Sequence, residues 1–532
     1  MRGNWKTTHS RLVAAALVLS VVVVAVASLG AGSVAADDAE WDRLVTADPD
    51  GDAEYESLEA AIDAVAADDE VIVVDPSYDA ADAGERTTGV VVDTDHTGLT
   101  ITTDRDEPAT LVTEADDDGS VLEIVSDGVT VEHLDIRRTG AGDGTDPRAV
   151  VVDGDGAVLD RLALTGENPS GDDRGLEVRS VTDVELAASK VQNFSIGASV
   201  NADELEMRNT VFEGNEIGVI VTDSDEVTAR GNLFLENEIG FMVPGAAVIL
   251  ADELPDDEPT VPDDGTDSDE VTIEDNAFGE NEIALMVDAA DVTVTGNVFG
   301  HNYFAAIVEA DDGVVEDNSF GGGEYGLLLS GGTVTATQNV AADNRFGIIL
   351  QTADSPTVSE NEITGNHGVG LVTTENTTVS ENTLSENDVG VGIGGDNVTM
   401  RYNAVLENEV GIDVAAGANS TAISSNDIVG NDVGLEYAGD GPLDATLNWW
   451  GDASGPGGDG LGNGDAVVGN VDYVPWLDAP FDEGGEPSVD LESYAVGGEF
   501  TVESVRTAVD DWRAGDLEQA ALREVIRLWR GG

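Results

Sequence analysis

The 532-residue chain is predicted to be all-β, wound as a parallel β-solenoid of three-strand coils, and three features predict it. First, asparagine recurs at Asn209, Asn232, Asn276, Asn297, Asn318, Asn339, Asn361, Asn382, Asn403, Asn426 and Asn448, at intervals of 21–23 residues with one doubled interval of 44. Second, another series runs through Asn215, Asn237, Asn281, Asn302, Asn344, Asn366, Asn387, Asn408 and Asn431, broken at Gly323, with a glycine or alanine column just after it. Third, each unit reads close to V-T-V-x-x-N-x-F-x-x-N-x-x-G-I-x-V, a set of short β-branched runs with no room for a helix. Under those limits each unit is one coil of three short strands separated by bends. Asparagine tolerates the left-handed conformation a sharp bend requires, and its amide can bond to the same amide in adjacent coils. Residues two positions after the first series, Phe234, Phe278, Phe299 and Phe320 and then Ile363, Leu384, Val405 and Ile428, are read as stacked core fillers.

The remaining elements follow in chain order. Residues 1–35 read as an export signal: Arg2, Lys6 and Arg11 precede an uncharged apolar run, and Ser33, Val34 and Ala35 supply small residues for cleavage. That run is also long enough to serve as an uncleaved anchor; no further membrane span is expected. In residues 36–85, Leu58, Ala61, Ile62 and Val65 share one helical face, followed by a strand over 70–74, so a helix is expected to cap the solenoid. The β-helix is assigned to 86–475, looser before residue 204 and interrupted by an acidic insertion at 244–269. A Gly/Pro/Asp-rich stretch leads into a linker at 476–500. Residues 501–532 carry two amphipathic helical patterns, an expected small two-helix unit.

Composition bounds the function. With 22 basic and 108 acidic residues the formal charge is −86, which excludes nucleic acid as a direct partner and disfavours an anionic membrane surface. An acidic excess of that size is the surface expected of a protein working in molar salt, where carboxylate repulsion is screened over a few ångströms. No cysteine is present, so disulfides, thiolate metal sites and thiol nucleophiles are excluded.

Three motifs carry a resemblance: the opening DPDGDAEYESLEAAIDA at 48–64, the N-x-F-x-x-N-x-x-G coils, and the closing NWWGDASGPGG at 448–458. Together they resemble the pectin-lyase-like right-handed parallel β-helix superfamily (PbH1 repeats) and, within it, NosD-like β-helix proteins of haloarchaeal type. The tail resembles dockerin-type helix pairs, without their Ca²⁺-loop aspartates. The resemblance implies a right-handed solenoid but is weak for activity, because that superfamily holds lyases, hydrolases, epimerases, adhesins and transport accessory proteins.

Enzymes of that superfamily use a Ca²⁺-carboxylate cluster with a basic residue, or paired aspartates on adjacent coils. None of their local signatures is present, and basic residues along the repeats reduce to Arg208, Arg230, Arg345 and Arg401. The NosD resemblance implies copper-site maturation, yet His96, His133, His301 and His367 are dispersed, and Met207, Met242 and Met286 fall in apolar strand columns. Asp48, Asp50 and Asp52 begin like a Ca²⁺ loop, but Ala53 stands where glycine is required. No metal site and no cofactor are therefore assigned, beyond weak binding of Ca²⁺ or other cations by stacked carboxylates.

Two features suggest a surface in use. The strand after the glycine column presents an outward file, Ile220, Met242, Met286, Ile307, Leu328, Ile349 and Val372, turning polar at Asp413 and Glu436; so apolar a file on an acidic surface calls for cover, by the insertion or the C-terminal tail or else by a partner or ligand, which makes it a candidate binding face. The insertion at 244–269 is placed to wall a groove beside it. Asn193, Asn376, Asn397 and Asn419 open N-x-S/T sequons and are candidate glycosylation sites. The sequence thus favours a secreted or cell-surface protein offering a rigid, non-catalytic surface to polysaccharide or envelope components. The alternatives are a polysaccharide lyase or glycoside hydrolase with carboxylates in a groove beside the insertion, and a NosD-like accessory to copper-enzyme maturation.

Overall fold

The structure, a computed structural model, describes residues 44–47, 54–55, 57–65, 71–74, 89–103, 108–114, 119–139, 147–167, 173–244, 268–481, 504, 507 and 508. The signal at 1–35, the interior of the insertion and the helical patterns of 501–532 lie outside the described residues, apart from three isolated positions in the last. The fold is an all-β right-handed parallel β-helix with one short helix near the N-terminus. It divides into two compact units, up to Leu327 and from Leu328. Among the described residues no helix is long and apolar enough to cross a membrane.

In the first unit the helix Leu58–Ala64 starts at Ser57, whose hydroxyl accepts from the Ala60 N–H at 3.0 Å. Leu58, Ala61, Ile62 and Val65 are buried, as their common face requires. His96 ties the helix to the adjoining coil: its Nε2 meets the Ile62 carbonyl and its Nδ1 the Asp93 carboxylate, each at 2.8 Å. Coils then stack by parallel pairing, as in Phe234 beside Phe278 beside Phe299 beside Phe320. These rings are coplanar within 17° with centroids 4.7–4.9 Å apart, and Phe212 extends the stack by one.

Two expectations are corrected here. Three separate strands per coil do not hold throughout the first unit: Arg174–Ala187, Ile196–Arg208, Ile283–Thr295 and Phe304–Glu316 each run through one corner as a single strand. Small side chains at that corner, Ala202, Ala289 and Ala310, let the ladder bend without breaking. Nor, Asn209 apart, do the recurrent asparagines take the left-handed conformation. It falls on the residue before each, at Gly231, Asp275, Gly296 and Asp317 in the first unit and at Gln338, Glu360, Glu381 and Tyr402 in the second. Asparagine is present for its amide instead.

Asn276 shows the pattern. Its Oδ1 accepts from both the backbone N–H and the Nδ2 of Asn232, at 2.8 and 3.0 Å, while its own Nδ2 donates to Ala229 O and to Asn297 Oδ1. Both donors and both lone pairs are used in a buried position, so the chain's step to the next coil is locked. The second series does the same at Asn215, Asn237, Asn281 and Asn302. Asn209, read as the start of the first series, does not belong to that ladder. That residue is exposed and itself left-handed, and Thr210 takes the rung, its N–H meeting Asn232 Oδ1 at 2.9 Å.

The second unit repeats the scheme through Asn339, Asn361, Asn382, Asn403, Asn426 and Asn448, and through Asn366, Asn387, Asn408 and Asn431. Ile363, Leu384, Val405 and Ile428 fill its core. The second ladder ends on a carboxylate: Asp465 Oδ2 accepts from both the N–H and the Nδ2 of Asn431 at 2.8 Å, and Oδ1 from the Gly430 N–H at 3.0 Å. Beyond it the fully buried Trp450 closes the last coil.

Candidate functional site

The laddered corners fix which residues face outward. In the first unit, register aligns Val151, Glu177, Ser199, Ile220, Met242, Met286 and Ile307 in one outward file. Ile220, Met242 and Met286 are only 6%, 2% and 7% exposed, and Ile307 is half-buried. The apolar part of the face is therefore covered. In the second unit Leu328 is buried, Ile349 and Val372 are half-buried, and the file continues through Gly392 to exposed Asp413 and Glu436.

Position along the outward file decides its chemistry. At Glu177 it holds an ionic cluster that sequence reasoning missed. Arg148, Arg174 and Arg179 all reach this carboxylate, Arg174 Nη1 at 3.0 Å and Arg179 Nη2 at 2.6 Å, and Arg179 also reaches Asp153 at 3.5 Å. Burial would raise the Glu177 carboxyl, but the hydrogen bonds and charges of Arg179 and Arg148 outweigh it and hold it below the usual range. Nearby, Ser195 bridges carboxylates of the coils on either side of its own: its N–H meets Asp173 Oδ1 at 2.9 Å and its hydroxyl meets Glu216 Oε2 at 2.6 Å. Burial, with Glu216 close by, pushes the Asp173 carboxyl up against the bond from Ser195.

A second carboxylate pair stands where the insertion leaves the solenoid. Val243 pairs with Val287, so the insertion begins level with Asp288, which is itself beside Glu309 on the next coil. Both are half-buried, and burial together with the Asp288 charge raises the Glu309 carboxyl. Two carboxylates side by side with one pKa raised is an arrangement that can hold one proton and one charge.

The opposite corner of the first unit is different. Asp183, Glu204, Glu226, Glu270 and Asp291 stack in one exposed file that Asp312 continues on the next coil; with the flanking Asp203, Asp225 and Asp269, the first five line a shallow cleft of about 480 Å³. Each of these carboxylates points to solvent. Among the described residues no group of three or more His, Asp or Glu side chains gathers to hold a metal ion.

The other expected residues are scattered. His96 serves the helix cap, His133 meets Thr103 Oγ1 at 3.1 Å, and His301 and His367 are exposed on corners. All four sequon asparagines are exposed. Asn397 Nδ2 donates to Asn376 Oδ1 at 2.9 Å, and Asn419 Nδ2 is spent on Asp396 Oδ1 and Gly417 O.

A family model for the right-handed β-helix region matches residues 149–320 and 284–449, over half of the chain. No curated protein matches. Among solved structures, a pectin methylesterase from carrot is 11% identical, covering 60% of this chain and 82% of its own, with a TM-score of 0.22. The Dettilon tailspike protein is 12% identical, covering 74% of this chain and 68% of its own, with a TM-score of 0.27.

Proposed function

We propose that this chain, which belongs to the right-handed β-helix family, is an exported, rigid, acidic surface that binds polysaccharide or another envelope component. One observation carries the reading. Asparagine amides of successive coils bond to one another along both ladders, and at Asn276 every donor and acceptor is used, so outward side chains of the laddered coils are held at a fixed repeat of ~4.8 Å, as an elongated polymer ligand requires. The charge of −86 and the leader read at 1–35 support a location outside the membrane in concentrated salt.

Affinity electrophoresis of the purified protein in ~3 M salt, against neutral and uronic-acid polysaccharides with product analysis, tests it. Retention without new chain ends is expected. Failure to bind any polysaccharide would overturn the reading, and release of unsaturated or reducing ends would replace it with catalysis. The Asp288–Glu309 pair is the specific observation that favours such an enzyme, with Glu309, whose carboxyl is pushed up by burial and by the Asp288 charge, as the candidate acid. The NosD-like accessory reading rests on the sequence resemblance, and no residue constellation for copper supports it among the described residues.

A further inference from the structure

The corner that carries the second asparagine ladder follows a simple rule in the first unit. A left-handed residue precedes each ladder position and an outward residue follows it: Gly214 and Glu216, Glu236 and Glu238, Glu280 and Glu282. Backbone bonds align these in two vertical files, with the Glu238 N–H donating to Asn215 O and the Tyr303 N–H to Asn281 O. One coil departs. Rings replace both carboxylates there, with His301 at the left-handed position (φ 59°) and Tyr303 outward. The next coil departs as well, because Gly321, Gly322 and Gly323 follow one another and the ladder amide is missing at Gly323. Two breaks in an otherwise uniform corner, side by side, mark a place where packing rules yield to something else.

The geometry there is that of an aromatic platform. Tyr303 is 49% exposed, high for so large a ring. It is held nearly perpendicular to Phe304 (centroids 4.9 Å apart, 81°) and to Tyr325 (6.0 Å, 75°), and those two stack on each other at 4.5 Å. The exposed ring is therefore braced from behind and loses little freedom when a ligand covers it. The glycine run leaves the adjacent coil without side chains at 321–323. Gly322 has a further role: a Cβ there would lie 2.8 Å from His301 Nδ1, so glycine makes room for the imidazole. Above and below Tyr303 in the outward file stand Glu282 and Glu324.

We infer that Tyr303, rimmed by Glu282, Glu324 and His301, is a carbohydrate-stacking site selective for uncharged sugar rings. The C–H face of a pyranose lies on the Tyr303 ring, and its hydroxyls donate to the two carboxylates, charge-assisted bonds that fix its orientation. The same carboxylates repel uronates and sulfated sugars. The inference rests on the proposed polysaccharide-binding function and adds a place and a ligand class to it.

The test compares the full chain with Tyr303→Ala, Tyr303→Phe and Glu282→Gln by affinity electrophoresis and titration calorimetry, using a soluble neutral glucan and a polyuronate of matched length. The expected result is that the unaltered chain binds the glucan and not the polyuronate. Tyr303→Ala should weaken glucan binding at least tenfold at unchanged melting temperature, Tyr303→Phe should retain it, and Glu282→Gln should weaken it several-fold. Glucan binding undiminished in Tyr303→Ala would overturn this site while leaving the polysaccharide function standing. Equal binding of the polyuronate would overturn the ligand class. If the unaltered chain binds neither polymer, the function itself falls and the site with it.

Discussion

Coils before and after residue 210 have the same fold and different cements. From Asn232 onward the first ladder carries a buried amide rung in each first-unit coil, and the core beside it is a file of coplanar phenylalanines. Before it the rungs are hydroxyls: Ser189 Oγ accepts from the Leu162 N–H at 2.9 Å and donates to Ala187 O at 2.7 Å. The equivalent core column there is Ile136, Leu164 and Val191, all fully buried. Ion pairs clamp the outside instead, with Arg148, Arg174 and Arg179 on Glu177, Arg161 on Glu132 and Asp160, and Lys190 on Glu213 at 2.7 Å. The contrast teaches that repetition of sequence is needed only where the bond itself repeats. An amide ladder demands the same residue in every coil, whereas an ion pair can be placed wherever two long side chains reach.

The largest expected effects test the core of the laddered region. Phe278→Ala removes the middle of the ring stack and should cost about 4 kcal/mol, with Val191→Ala in the early coils costing about 2, by urea denaturation. Next comes the ladder. Asn297→Ala strands the N–H and amide of Asn276 and leaves Ile273 O and Thr295 O without this donor, at about 3 kcal/mol. Ser189→Ala, the hydroxyl counterpart, should cost about 1 kcal/mol. Equal costs at the two rungs would dissolve the distinction between the regions.

The ionic side of the comparison responds to salt. Glu177→Gln removes the shared partner of three guanidinium groups and should cost about 2 kcal/mol at ~0.1 M salt, falling below about 1 near 3 M as screening takes over. The Asn297→Ala cost should not change between those salts beyond the general effect on the unaltered chain. On acidification Glu177 behaves as a carboxyl whose folded pKa is depressed: its contribution is present above the unfolded value of 4.5 and disappears as pH falls through the lower folded one.

The same contrast explains what could be read from the residues alone. The amide spacing made the solenoid legible, down to the stacked fillers Phe278 and Ile363. The position of the left-handed residue was not, because Gly231, Asp275, Gln338, Glu360 and Tyr402 all occupy it and no single residue type marks it. Asn209 misled for a related reason: it sits at the right interval but one place early, where Thr210 makes the bond. The Glu177 cluster had no period to betray it, since its arginines come from two irregular coils, Arg148 from one and Arg174 and Arg179 from the next. The outward file was legible as a line of apolar residues in need of cover, and Met242 and Met286 are indeed buried. Tyr303 was concealed in plain view, one ring in a file of glutamates, visible only when register showed which residues it replaces.

The smallest effect concerns how a ladder stops. Asp465 stands where another asparagine would continue the second-unit series, and its carboxylate receives three N–H donors. Burial nevertheless pushes its pKa up, more than the bonds from Asn431 and Gly430 pull it down. A carboxyl whose folded pKa lies above the unfolded 3.8 binds its proton more tightly when folded, so stability rises as pH falls through the folded value and levels off below 3.8. Asp465→Asn keeps an acceptor for Asn431 but deprives the Gly430 N–H of its own, at about 0.5 kcal/mol near neutrality because that bond is exposed. It also abolishes the acid-side gain. The stability difference between the unaltered chain and the variant should therefore widen between pH 7 and pH 4, measured by urea midpoints at fixed salt. A difference that narrowed instead would mean that the terminal carboxylate is stabilised by its three donors more than burial destabilises it, and that a charged end suits the ladder better than another amide would.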